Sequence, residues 1–139
     1  MSYTDTFIQV ADDCPVSESV VPSSDRAQPP IHLLQYELLT RHPYAYDHEE
    51  LVFAVHVRRQ GISEEELTAR RDALWAELFQ KGHPCLRASA LTKRYGWGAH
   101  YNAAGKIALV AMESDAYRRF VENDGGATKL LKAIRRSRV

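Results

Sequence analysis

Two histidines and an arginine are the residues best suited to chemistry. His56 and Arg58 close the run Leu51-Val52-Phe53-Ala54-Val55-His56-Val57-Arg58, and His100 follows Tyr95-Gly96-Trp97-Gly98-Ala99. Imidazole titrates near neutrality, so His56 and His100 are the natural general bases. Arg58 suits a carboxylate or phosphate, which it can hold through two parallel hydrogen bonds. Glycine inside a strand gives up packing and marks the close approach of a ligand or of another backbone. From Glu77 to Glu113 no carboxylate intervenes, while Lys81, Arg87, Lys93, Arg94 and Lys106 fall there with His83 and His100. The expectation is a small anionic ligand on a bare floor at Gly96 and Gly98, bordered by His56, Arg58 and His100, with Arg87, Lys93 and Tyr95 close by. The competing expectation is a helix packed onto those glycines, with His56 in the core and Arg58 at the surface.

Catalysis is not specified. Tyr36, Tyr95 and Tyr101 are candidate proton donors, but no spacing assigns them to a base. Cys85 beside His83 and Arg87 has surroundings that can activate a thiol, against the commoner role of a small buried hydrophobe. No metal or other cofactor is expected: His-Glu-x-x-His is absent, and no His and Cys have zinc-finger spacing. Gly96-x-Gly98 lacks the third glycine and the following helix of a dinucleotide site. Neither a phosphate-binding Gly-x-x-x-x-Gly-Lys loop nor a Gly-x-Ser-x-Gly elbow occurs.

The elements that must position these residues begin with a hairpin over Tyr95 to Met112. Asn102-Ala103-Ala104-Gly105 suits a type I turn ending in a left-handed residue. That turn pairs Tyr101 with Ile107, Ala99 with Leu109 and Trp97 with Ala111 on one packed face. The other face carries Gly96, Gly98 and His100. Tyr3 to Val10 reads as a strand, residues 11–30 as a long loop holding four of the six prolines, and Ile31 to Arg41 as a helix with a strand left open. His42-Pro43-Tyr44 ends it.

Asp47 to Glu50 reads as one capped turn before a strand, Leu51 to Arg58. Ser63-Glu64-Glu65-Glu66 opens a helix through a capping box, with Leu67, Leu74, Trp75, Leu78 and Phe79 as its stripe and Gly82 and Pro84 after it. Cys85 to Ala90 reads as a short strand. Ser114 caps a helix carrying Tyr117, Phe120 and Val121, which Asn123 to Gly126 ends. Leu130, Leu131 and Ile134 mark a last short helix in a basic tail, 127–139. The sum is one α+β domain over 1–139, an antiparallel or mixed β-sheet with helices packed mainly on one face.

Several phrases together carry a likeness: Tyr3-Thr4-Asp5-Thr6-Phe7-Ile8, Gln35-Tyr36-Glu37-Leu38-Leu39, His42-Pro43-Tyr44, Leu51 through Arg59, and Lys93-Arg94-Tyr95-Gly96-Trp97-Gly98. The chain resembles a family of small bacterial proteins classed as domain of unknown function 6157. The resemblance spans nearly the whole chain and implies a free-standing bacterial cytosolic protein. It implies no activity, cofactor or catalytic residue.

Charge and cysteine use bound the partners. Eighteen Lys and Arg balance eighteen Asp and Glu, so no global field draws nucleic acid or an acidic membrane. The rival reading is nonetheless a nucleic-acid-binding or protein-interaction module using the basic 81–106 tract and the tail, the long loop wrapping a partner or a second copy in a homodimer. Cys14 and Cys85 are too few for a secreted disulfide scaffold. With no leader pattern and no long apolar run, the expected location is the cytoplasm.

Overall fold

In the computed structural model, which describes residues 3–123 and 126–135, the hairpin closes as its turn residues demand. Asn102 Oδ1 accepts from the amides of Ala104 at 3.0 Å and Lys106 at 2.9 Å. Gly105 takes φ +79°, a conformation that costs little only without a Cβ. Strands β2 (Trp97–Tyr101) and β3 (Ile107–Ala111) then pair Tyr101 with Ile107, Ala99 with Leu109 and Trp97 with Ala111, the expected register. Strand β1 (Thr6–Gln9) lies antiparallel to β2, with Ile8 opposite Ala99.

The tail supplies a fourth strand in place of the helix expected around Leu130, Leu131 and Ile134. Strand β4 (Lys129–Lys132) runs parallel to β1 and completes the order β3-β2-β1-β4. So short a segment gains little as a helix, whereas as a strand it satisfies the free edge of β1. Lys129 N donates to Asp5 O at 2.7 Å, and Ala133 N to Gln9 O at 2.9 Å. The Asn123 side chain shapes the approach by bonding both the carbonyl and the amide of Thr128. Asp124 and Gly125 of the expected helix stop, and Arg136 and Arg138 of the basic tail, lie outside the described residues.

The largest correction concerns Leu51 to Arg58, which is no strand but the middle of a helix. Helix α1 spans Ile31–Arg41, α2 His48–Gln60 and α3 Glu64–Leu78. Asp47 and Glu50 form a reciprocal capping box that starts α2, and Gly61 stops it in the left-handed region at φ +63°. The strand-like alternation arises because α2 is buried on two sides. Leu51 and Val55 join Leu34, Leu38, Ala99 and Tyr101 in the core, while Phe53 packs on Trp75 of α3, ring centroids 5.0 Å apart. With apolar residues on both flanks the two periods write similar patterns, and the caps decide.

Ser63 caps α3 and Ser114 caps α5 (Asp115–Glu122), each through its Oγ, as expected. Cys85 to Ala90 is not a strand: it holds a 3₁₀ turn, Leu86–Ala88, and leads into the short α4, Ala90–Lys93. The domain is α+β with a mixed sheet. Helices α1 and α2 cover the face of Ile8, Ala99, Tyr101 and Ile107, and α5 lies on the other face against Phe7.

The Tyr95-Gly96-Trp97-Gly98 segment holds other parts of the protein and leaves no bare floor. Residues 11–30 form neither helix nor strand, and their middle is strapped across it. Val20 N donates to Tyr95 O at 2.8 Å, Trp97 Nε1 donates to Val20 O at 2.9 Å, and the Ser19 amide and hydroxyl both donate to the Glu113 carboxylate. Gly96 lets the strap pass, because a Cβ there would fall 3.0 Å from Glu18 O and 3.1 Å from Ser19 Cα. At Gly98 a Cβ would meet Phe7 Cζ at 2.7 Å and Tyr117 Cε2 at 2.8 Å. A helix thus covers Gly98, as the competing expectation had it, whereas the loop and not a helix covers Gly96.

Gly98→Ala is expected to cost about 1–3 kcal/mol of unfolding free energy in urea titrations, since two rings and a backbone carbonyl must give way. Gly82→Ala, where nothing lies within 4 Å, should leave stability unchanged or slightly raised. Equal effects at the two positions would contradict the packing role of Gly98.

Candidate functional site

The candidate site lies where α1, α2 and the segment after α3 converge. A groove there has two adjoining depressions, about 190 Å³ and about 300 Å³, which share Ile31, Gln35, Arg59 and Pro84. The first has an aliphatic floor of Ile31, Val52, Val55 and Leu78 beneath His56, Gln60 and His83. The second adds Arg26 and His32, with Cys85 and Ser89 on its far wall. Two arginines and three histidines therefore line the groove, and no Asp or Glu lines either depression.

Helical spacing accounts for the α2 side. At 3.6 residues per turn, Val52, His56 and Arg59 fall on one stripe behind His48. Arg59 is held by the end of the long loop: its Nε donates to Pro29 O at 3.1 Å, and its carbonyl accepts from Gln28 Nε2. Neither Arg26 nor Arg59 forms an ion pair among the described residues. Gln35 Oε1 accepts from Ser89 Oγ at 2.7 Å, which leaves the Gln35 amide nitrogen as a donor. His83 Nε2 donates to Leu78 O at 2.6 Å, so its other ring nitrogen remains available.

The histidine electrostatics follow from burial and from this excess of cations. Desolvation, then Arg94 and Arg26, holds His32 below the ordinary imidazole value. His48, 4% exposed at the start of α2, is likewise lowered, chiefly by desolvation and in part by His83, against the opposing pull of Glu49 and Asp47. Both rings are therefore neutral hydrogen-bonding groups near pH 7.

The expected site residues are dispersed. His56 is in the groove, but Arg58, about 200° away around the helix, faces Glu37 at 3.7 Å. His100 sits on the α5 side of the sheet, opposite the α1 and α2 layer. Its Nδ1 is 2.8 Å from the Tyr44 hydroxyl, and its ring stacks on Phe120 at 4.2 Å. Arg87 Nε donates to Lys132 O. Lys93 is in the last turn of α4, and Tyr95 packs against His32 at 4.9 Å. Gly96 and Gly98 lie under the strap and α5. The two imidazoles and the guanidinium thus do not share a pocket.

Sequence reasoning missed Arg26, His32, Gln35, Arg59 and Ser89. A helical reading of 48–60 would have exposed the His48, Val52, His56, Arg59 stripe. The others carried no sequence signal, because loop closure brings them together.

No group of three or more His, Cys, Asp or Glu among the described residues is placed to hold a metal ion, and no helix among them is long and apolar enough to cross a membrane. A model described as Family of unknown function (DUF6157) matches residues 1–139. No curated protein and no solved structure matches the chain.

A pH dependence follows from the lowered histidines. Burial holds His32, His48 and His100 below the ordinary imidazole value of 6.5 in the folded state, so in acid the unfolded chain binds more protons than the folded one. Their contribution is whole above the ordinary value and is lost as pH falls from there through the lowered folded-state values. The melting temperature is expected to fall between pH 7 and pH 5, and His48→Gln should flatten that fall. An unchanged slope in the variant would contradict the assignment.

Proposed function

We propose that this chain, which belongs to that family of unknown function, binds a small organic anion in the groove between α1, α2 and residues 83–90. The apolar body rests on Ile31, Val52, Val55 and Leu78, and the acidic group meets Arg59, Arg26 and the neutral His32. The observation that carries this reading is the composition of the walls: two arginines and three histidines over an aliphatic floor, with no carboxylate. A charged group of like sign in the wall would repel an anion. Arginines without a carboxylate partner among the described residues can instead give two parallel donors to a ligand carboxylate or phosphate. An apolar cleft with a few converging polar groups is the usual form of a small-molecule site.

The nucleic-acid alternative draws less support, since several of its cations already have internal partners. Lys106 pairs with Glu50, Lys132 pairs with Asp12, and Trp97 holds the strap. The unpaired thiols of Cys14 and Cys85 support a reducing compartment, the bacterial cytoplasm.

Thermal denaturation against a panel of small carboxylates and organic phosphates tests the reading. A binder at one hundred times its dissociation constant adds about 2.7 kcal/mol, read as a rise of several degrees in melting temperature. His56→Ala and Arg59→Ala are expected to abolish that rise, whereas Arg58→Ala, on the other side of α2, should keep it. Loss of the rise in all three variants, or no rise with any anion, would overturn the proposal.

A further inference from the structure

Tyr101 has a buried hydroxyl that nothing in the core satisfies. The residue is 0% exposed on the packed face of β2, and its Oη finds no hydrogen-bond partner among the described residues. An unpaired buried hydroxyl costs stability, and phenylalanine would fill the same space without that cost. What the hydroxyl faces is therefore informative.

The Tyr101 ring packs on Tyr3, which in turn reaches Cys85. The Tyr3 ring stands edge-on to the Tyr101 ring, with centroids 5.3 Å apart and planes at 81°. The Tyr3 hydroxyl lies 3.6 Å from Cys85 Sγ. After burial, Cys85 and then Tyr3 are the groups that push the Tyr101 hydroxyl upward in pKa, and the Leu86 N–H offsets part of the rise without reaching hydrogen-bond geometry. The neighbouring Arg87 guanidinium acts on Tyr3 in the lowering direction. Cys85 is only partly buried and opens onto the depression lined by Arg26, His32 and Arg59. A thiol with the Tyr3 hydroxyl beside it, an unpaired phenol nearby and cations in front has the partly exposed, electropositive setting of reactive cysteines.

We propose that Cys85 is a modification site for hydroperoxides, and that the Tyr101 and Tyr3 hydroxyls hold the sulfenic acid it forms. The sulfur attacks the terminal oxygen of the peroxide; an S–O bond forms and the O–O bond breaks. Sulfur loses two electrons, the peroxide gains them, and the thiol proton leaves on the departing alcohol or water. The new sulfur-borne oxygen is the acceptor that the Tyr101 hydroxyl lacks in the thiol form. Cys14, also partly buried, has among the described residues the single Tyr117 phenol near it, already bonded by Val10 N, and serves as an internal reference.

The test treats the full chain with hydrogen peroxide and traps sulfenic acid with a 1,3-dione, followed by mass spectrometry of the Cys85 and Cys14 peptides from one sample. Cys85 is expected to be trapped at least about tenfold faster than Cys14 when donors are aimed at the reacting sulfur. Tyr101→Phe should melt at or above the parent temperature, yet lower Cys85 trapping several-fold with Cys14 unchanged. Tyr3→Phe, at a partly exposed position, should lower it as well. Equal rates at the two cysteines would overturn the proposal, as would a Cys85 rate that stays at the parent value in both variants.

Discussion

The rest of the structure depends on β1, a four-residue strand that must be satisfied on both edges and both faces. Phe7 and Ile8 are each 0% exposed and point to opposite sides of the sheet. Ile8 requires the α1 and α2 layer, and Phe7 requires Tyr117 and Phe120 of α5, whose rings lie 5.1 Å and 4.8 Å from its own. The edges make a matching demand: β2 takes one, and the other is left open until β4 arrives from the far end of the chain. A strand buried on every side cannot leave amides unpaired, so the tail is drawn into the sheet whatever its local preference.

That demand also explains why the glycines are where they are. Phe7 and Tyr117 come so close to Gly98 that no side chain fits, and the strap from the long loop crosses Gly96 just as closely. The close approach that strand glycines signal is here an approach of the protein to itself. Trp97, between them, pins the strap with its indole N–H. One short motif thus fastens a helix to one face of the sheet and a loop to its end.

The groove is a consequence of the same layering. Because α2 is buried against α1 on one flank and α3 on another, a third stripe remains for His56 and Arg59. The strapped loop returns to that stripe, where Pro29 and Gln28 secure Arg59. The walls come from separate parts of the chain: Arg26 from the loop, Gln35 from α1, His56 and Arg59 from α2, Cys85 and Ser89 from the segment before β2. Its positive character reflects which residues are absent as much as which are present: Glu37 pairs with Arg58, Glu50 with Lys106 and Glu77 with Arg70.

Local chemistry was legible in the sequence wherever the deciding forces were local. The Asn102 to Gly105 turn set the hairpin register, Ser63 and Ser114 each marked a helix start, and Asp47 marked a capped turn though not the helix it begins, because a turn or a cap is made by residues within a few positions of one another. Leu51 to Arg58 was not legible in this way: its apolar residues fit both periods, and only the partners on its two flanks distinguish them. Lys129 to Lys132 became a strand because the open edge of β1 was available, a fact held more than a hundred residues away. Of the residues expected to meet in one site, only His56 lies in the groove, while Arg58 and His100 face elsewhere. A side chain's type is written in the sequence, but which side chains meet depends on helix phase and loop closure, and those follow from burying the core as a whole.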